Sequence, residues 1–490
     1  MNHPSASNWQ SGRHGAGAMW SILDNLAQQV LSFAVFLVLA RLVAPAEFGQ
    51  IAIAHVIVTF VRMTVFDAIT HPVARTESPT DALYSWAFGL CVVAALTMAA
   101  LMLASASVAS RFYAHPELAR VISWMSLVVV TLGTAAVYEA RLIRQMDFRP
   151  LAVRSIVSVS VGGCVGIVLA LRGAGVMALV AQQVVTSCLA LGLLVAQARW
   201  LPSLPAKGIA WRDFFPNASR VSMTGLFGFL ASQGDTVLVS IFMGSYATGI
   251  YSFAKRLASA VYLVIGSSLL KLAIPAFADA GINPAARRAA YIRIVGTSVF
   301  MMAPLLAGLS LLAQPMITLL FGDVWVSAAP IVGLLCALYL LLALNQINDY
   351  LMFAIGLRTV PMQRGLVQTL LALLLGSAGS AWGFPWTAAG FVLAGLLVFP
   401  WPQALANRAI GSSFLYLALA LKAPVLATVA MSLFLWSALQ QIQLTAMTLI
   451  ALVACSAVVF LLAHRLVIRA SPSSHDALKD LVQLRRPAPA

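Results

Sequence analysis

The chain has 490 residues, of which 61% are hydrophobic and only 9% charged, against about 45–50% and about 25% in ordinary soluble proteins. So few charges cannot cover a globular surface in water, whereas a chain solvated by lipid needs few, and a water-soluble fold is excluded. The 30 Lys and Arg against 15 Asp and Glu leave +15 at pH 7; in a membrane protein this excess reports basic cytoplasmic loops and not a nucleic-acid partner.

In chain order, the polar start MNHPSASNWQSGRHGAGAM gives way to an apolar stretch that runs into Arg41-Leu42 without a small-residue cleavage site. It reads as a retained first span and not a signal peptide. Apolar runs bounded by charges, Pro and Gly predict fourteen helices near 18–40, 50–66, 83–106, 120–140, 151–171, 174–196, 220–242, 247–272, 291–320, 326–355, 365–382, 386–403, 419–438 and 442–463. The expected fold class is therefore all-α, a polytopic membrane protein with about 14 transmembrane helices. Its expected organisation is an N-terminal six-helix lobe (1–197), a cytoplasmic linker (198–219), a second six-helix lobe (220–403), a terminal helix pair (404–463) and a cytoplasmic tail (464–490).

With both termini cytoplasmic, 22 of the 30 cations fall on inside segments, among them Arg75, Arg141, Arg144, Arg149, Arg154, Arg220, Arg287, Arg288, Arg358, Arg364 and Arg408. Outside segments hold only Arg41, Arg111, Arg120 and Arg172, and Arg62, Lys255, Arg256 and Lys271 fall within helices. The positive-inside rule supports this orientation and an even number of spans. Residues 40–54 laid on 240–254 share Gly49/Gly249 and Ala54/Ala254 at an offset of 200, each in the turn between an outgoing and a returning helix. Two like-oriented six-helix halves are the usual sign of a rocking transporter.

No chemistry-bearing motif accompanies the spans. There is no GK[ST] phosphate loop, HExxH or GxSxG, and no cofactor is expected. Cys91, Cys164, Cys188, Cys336 and Cys455 stand singly inside apolar runs and read as small core residues, with neither a disulfide frame nor a metal site. Trp20, Trp124, Trp211, Trp325, Trp382, Trp386, Tyr251 and Tyr262 sit near helix ends, where a headgroup belt explains most of them and sugar stacking one or two.

The stretch Leu39-Ala40-Arg41-Leu42-Val43-Ala44-Pro45-Ala46-Glu47-Phe48-Gly49 resembles the "LARLLTPEEFG" signature of bacterial polysaccharide flippases. Gly234-Asp235 through Gly249-Ile250-Tyr251-Ser252-Phe253-Ala254-Lys255-Arg256-Leu257 resembles their "D…G…GLYSLAKRL" segment. The likeness is to the Wzx-like polysaccharide and O-antigen flippases, of the colanic-acid exporter type, within the superfamily that holds MATE exporters and the lipid II flippase. It spans roughly the first 300 residues, and beyond them helix count and spacing carry it. The resemblance implies transport of an undecaprenyl-pyrophosphate-linked oligosaccharide across the inner membrane, for exopolysaccharide, capsule or lipopolysaccharide synthesis, by a protein that is not an enzyme. Its partners would be the lipid-linked substrate and membrane lipids, with no nucleic acid. A proton or sodium ion as coupling ion, and a polysaccharide polymerase and export proteins, are further partners it leaves open. A MATE-type drug/cation antiporter and a lipid II flippase are the alternative readings, and a membrane-embedded glycosyltransferase is disfavoured because it would need a long external loop.

A charge inside a span costs about 2.5–3.5 kcal/mol on insertion scales and needs a water-filled cavity or a partner. Arg62 is the leading candidate for binding the anionic substrate, against a structural pair with Asp24 or Asp67. Lys255 and Arg256 would bind pyrophosphate or acidic sugars with Asp235 holding one of them, against a plain ion pair. Arg41 is an interfacial anchor or a cavity-mouth contact. Asp24, near the level of Asp67, is a helix-end carboxylate or a coupling site, and Asp67 and Asp349 are further coupling or gate candidates. Glu139, Arg141 and Arg144, with Asp147 beyond, suit topology and an inner gate. Asn345, Gln346, Asn348 and Asp349 suit sugar hydroxyls or interhelical hydrogen bonds, and Lys271 a snorkelling cation.

Overall fold

The computed structural model describes residues 28–76, 79–145, 149–198, 200–203, 211–281, 283–441 and 445–470. Trp20, Asp24 and Asp147 lie outside the described residues, as do the side chains of Trp211 and Lys271. Among the described residues every regular element is a helix. The chain divides into two compact units, Met1–Gly249 and Ile250–Ala490.

The first unit holds α1 (Gln28–Leu42), α2 (Pro45–Arg75), α3 (Asp81–Phe112), α4 (Pro116–Arg144), α5 (Arg149–Leu171), α6 (Val176–Ala198) and α7 (residues 211–243). Helix starts follow local chemistry. Pro45 opens α2 while the Glu47 carboxylate accepts from the Ala44 N–H at 3.0 Å, and the Thr80 hydroxyl accepts from the Leu83 N–H at the start of α3. α4 is the most buried of the unit's membrane-length helices. Its residues Leu118, Val121, Ile122, Met125 and Val129 meet Phe66, Met102 and Val180 from three other helices. Small residues set the α5–α6 contact: a Cβ at Gly162 would lie 2.0 Å from the Thr186 hydroxyl oxygen, so only glycine permits that approach.

At Gly244 the backbone takes φ 76°, ψ −173°, which ends α7 and starts α8 (residues 245–261) inside what is otherwise one continuous helical stretch. From Ile250 onward α8 belongs to the second unit and continues through a π turn, Tyr262–Gly266, into Ser267–Ala280. α9 (Pro284–Phe321), α10 (Ala329–Ala354), α11 (Thr359–Ser380), α12 (Phe384–Ala409), α13 (Lys422–Leu439) and α14 (Ala446–Ala470) follow. Tyr291, Ile294, Val299, Ile347 and Leu351 form the core of this unit, and Leu312, Met431, Leu435 and Phe460 seat the last two helices on α9.

Eleven helices among the described residues are long and apolar enough to cross a membrane. One of them is the stretch Pro216–Ile265 that Gly244 divides, while Gln28–Leu42 is shorter and Thr359–Ser380 is not among the eleven. Two sequence readings change. Trp325 and Tyr251 are core residues and not belt residues: Trp325 stacks on Phe253 at 4.3 Å and Tyr251 packs edge-on against Phe391. Trp124, Trp382 and Trp386 remain exposed. Of the five cysteines only Cys91 and Cys336 are buried; Cys164, Cys188 and Cys455 are exposed, Cys455 in a cavity between α13 and α14 with Ser437, Gln441 and Thr448.

Candidate functional site

In the first unit the site begins with a backbone irregularity. Residues Arg62–Phe66 of α2 form a π turn, in which the Asp67 N–H reaches back to the Arg62 carbonyl. Such one-residue insertions cluster at functional positions. The turn is seated on α7: a Cβ at Gly225 would lie 1.9 Å from the Met63 carbonyl oxygen, and Phe60 meets Phe229 edge-on at 5.2 Å. The Arg62 side chain is exposed. Among the described residues no carboxylate lies within ion-pair distance of it. Asp67, half-buried one residue past the π turn, lies within electrostatic reach of His71, Arg62 and Glu139. Arg41 is exposed at the end of α1.

At the far end of α4 the expected gate residues are already engaged within the unit. Glu139 accepts from Arg154 of α5. Arg141 reaches the Asp81 carboxylate at 2.6 Å and lies 5.2 Å and 5.1 Å from the ring centres of Tyr84 and Trp200. Arg144 donates to the Ala74 carbonyl at 2.7 Å. Trp200 packs edge-on against Tyr84, Phe88 and Tyr138, and the Ser203 N–H donates to the Ser85 hydroxyl at 3.0 Å. Residues 200–203 are thereby docked on the ends of α3 and α4. Sequence reasoning missed Trp200; its position directly after a run of α6 and beside Arg199 was the available signal.

On α7, Asp235 is half-buried and accepts from the Thr236 N–H at 2.7 Å. On α8, Lys255 is half-buried and Arg256 exposed, as expected of neighbours about 100° apart on a helix.

The polar group at the end of α10 separates into two sets on two faces. Asn345 and Asn348 are fully buried. Asn348 accepts from the Tyr291 hydroxyl at 2.6 Å and donates to Gln403, which donates in turn to Asn407, so α9, α10 and α12 are hydrogen-bonded together. Gln346 and Asp349 are half-buried on another face. Gln346 accepts from the Tyr262 hydroxyl and donates to the Tyr350 hydroxyl at 3.5 Å. Asp349 holds Arg364 through both carboxylate oxygens, at 3.0 Å and 2.6 Å. The contacts of all three are interhelical: Asn348 joins α10 to α9 and α12, Gln346 joins it to the π turn after α8, and Asp349 joins it to α11. Among the described residues no group of three or more His, Cys, Asp or Glu is placed to hold a metal ion.

The offset of 200 recurs in the backbone. The π turns begin at Arg62 and Tyr262. In the first unit the turns carrying Gly49 and Gly249 touch reciprocally: a Cβ at Gly49 would lie 1.7 Å from the Ser245 carbonyl oxygen, and one at Gly249 1.8 Å from that of Pro45.

Residues 38–330 match the profile of a family described as polysaccharide biosynthesis protein. The succinoglycan biosynthesis transport protein ExoT of Rhizobium meliloti (strain 1021) is 30% identical over 320 residues, covering 64% of this chain and 64% of that one, just under two thirds. The teichuronic acid biosynthesis protein TuaB of Bacillus subtilis (strain 168) is 23% identical over 345 residues, covering 70% and 71%. Among solved structures, the lipid II flippase MurJ in an inward closed conformation aligns with a TM-score of 0.72 at 13% identity, covering 92% of this chain and 99% of that one. That likeness establishes the fold.

Proposed function

Because the chain belongs to the polysaccharide biosynthesis protein family, we propose that it moves an undecaprenyl-pyrophosphate-linked oligosaccharide across the bacterial inner membrane by alternating access. In this reading it has fourteen spans with both termini cytoplasmic, two six-helix lobes (1–197 and 220–403) and a terminal pair (404–463). The observation that carries the reading is Arg62: an exposed guanidinium on a π turn within a span, with no carboxylate in ion-pair distance among the described residues. A cation kept there at a cost of about 2.5–3.5 kcal/mol calls for a wet cavity and an anion, and the planar guanidinium suits bidentate contact with a phosphate. A drug/cation antiporter would need exposed carboxylates in that place. Lys255 and Arg256 add positive charge on α8, and Asp67 is the described carboxylate best placed to couple a proton or sodium ion to transport.

Glu139 and Arg141 keep the gate reading, with Arg154, Asp81 and Trp200 as their partners in the first unit. Their bonds to α5, α3 and Trp200 brace the inner end of the first unit and tether the start of the linker.

The experiment is deletion of the gene followed by analysis of lipid-linked sugars. Undecaprenyl-linked oligosaccharide should accumulate on the inner leaflet and surface polysaccharide should disappear, and a gene carrying Arg62→Ala with Lys255→Ala should not restore it. Normal surface polysaccharide in the deletion strain, or full rescue by the doubly substituted chain, would overturn the proposal.

A further inference from the structure

Around the second π turn, α8, α10 and α11 gather aromatic rings and planar amides that remain half-buried. The Tyr262 and Tyr339 rings lie 5.6 Å apart, tilted by 36°. Gln346 is fixed at both ends of its amide by the hydroxyls of Tyr262 and Tyr350. Arg364, locked onto Asp349 by two hydrogen bonds, donates also to Gln368 at 2.5 Å. Tyr262 lies within electrostatic reach of Tyr350, Arg364 and Asp349, so these residues form one cluster.

From this we infer that Tyr262, Tyr339, Gln346 and Tyr350 form a saccharide-binding subsite that reads the sugar of the transported lipid. The inference rests on the transport reading and deepens it. A pyranose presents a flat C–H face and a rim of hydroxyls, which is what aromatic faces beside a planar amide complement. The bonds within the cluster leave capacity for that rim: one N–H and a lone pair of Gln346, and the O–H of Tyr350. Charge decides which part of the substrate is read. Asp349 and Arg364 cancel one another in a bidentate pair at 13% exposure each, so the cluster as a whole is neutral. It offers nothing to a pyrophosphate and suits uncharged hydroxyls. The buried set Tyr291, Asn348 and Gln403 spends its polar groups on its own network and is closed to ligands. The π turn explains the placement: it inserts one residue at Tyr262, the same step that presents Arg62 in the first unit.

The test measures binding of two probes to the full chain in nanodiscs: undecaprenyl pyrophosphate, and the undecaprenyl-pyrophosphate-linked oligosaccharide extracted from the deletion strain. The unaltered chain should prefer the sugar-bearing lipid about tenfold, the scale of one or two well-made hydrogen bonds with stacking. Tyr262→Ala and Gln346→Ala should each bring that ratio towards one without changing the affinity for undecaprenyl pyrophosphate. Tyr262→Phe, which keeps the ring, should retain part of the preference. Should the alanine variants fail to accumulate, Gln346→Met, of similar volume, carries the same expectation. Equal binding of the two probes by the unaltered chain, or a ratio that survives both substitutions, overturns the subsite and leaves the transport reading standing. Binding of neither probe overturns the transport reading, and the subsite with it.

Discussion

Asp81 and Trp200 hold the same guanidinium, and their burial decides which contact matters. Asp81 is 70% exposed, so its ion pair with Arg141 is worth under about 1 kcal/mol. Arg141 is only 18% exposed and lies against two rings, where cation–π contact and covered methylenes contribute about 1–2 kcal/mol. Arg141→Ala should therefore lower the melting temperature of the detergent-solubilised protein clearly more than Asp81→Ala, and should speed proteolysis in the linker after Ser203. A contrasting outcome is expected at Arg62, which is exposed and makes no ion pair among the described residues. Arg62→Ala should leave the melting temperature unchanged and lower transport about tenfold to a hundredfold, the scale of a lost charge-assisted hydrogen bond, while Arg62→Lys should recover part of the rate because charge returns without the bidentate fork. Both arginines were legible in the sequence as charges at costly positions. What set them apart was not, since pairing of Arg141 with Asp81 spans 60 residues and its ring contact depends on where residue 200 returns.

The helices themselves were the most legible level, because twenty apolar residues in lipid leave the backbone little alternative to internal hydrogen bonding. Their irregularities were not: nothing in Arg62-Met63-Thr64-Val65-Phe66 spells a π turn. Two element-scale outcomes follow. Deleting Val65 removes the inserted residue and restores an α-helix while keeping the register on either side; the protein should still accumulate in the membrane, and transport should fall because the widened turn that begins at Arg62 is gone. The reciprocal glycines make the second case. Gly49→Ala or Gly249→Ala pushes the same two backbones apart, at about 1–3 kcal/mol for either. Since the first substitution already opens the contact, the double variant should cost well below the sum, which a double-mutant cycle in thermal denaturation will read.

For the whole molecule, composition alone excluded water as the solvent, and the structure bears this out in its outward faces: Val93, Leu101, Leu374, Leu433 and Ile450 are all exposed apolar residues. Cys164 and Cys188 are exposed as well, while Cys455 lines a cavity between α13 and α14. A water-soluble maleimide does not reach a thiol that faces hydrocarbon, so in intact membranes Cys164 and Cys188, like the buried Cys91 and Cys336, should stay unlabelled, whereas all should react after denaturation in detergent. Labelling of Cys164 or Cys188 in intact membranes would place it in a water-filled cavity. The candidate site was legible as a set of residue types and illegible as an arrangement. The sequence placed Asn345, Gln346, Asn348 and Asp349 together, but only the helix face each occupies decides which neighbour it bonds, Tyr291 and Gln403 for Asn348, Tyr262 for Gln346 and Arg364 for Asp349. The two π turns carry a last consequence. Between the halves few side chains still match, yet the slip in backbone register begins at the same count, at a guanidinium in one copy and a phenol in the other. One backbone step thus serves as a socket for whatever side chain the cargo requires, and a relative handling a different glycan need change only the residue seated there, without rebuilding a helix.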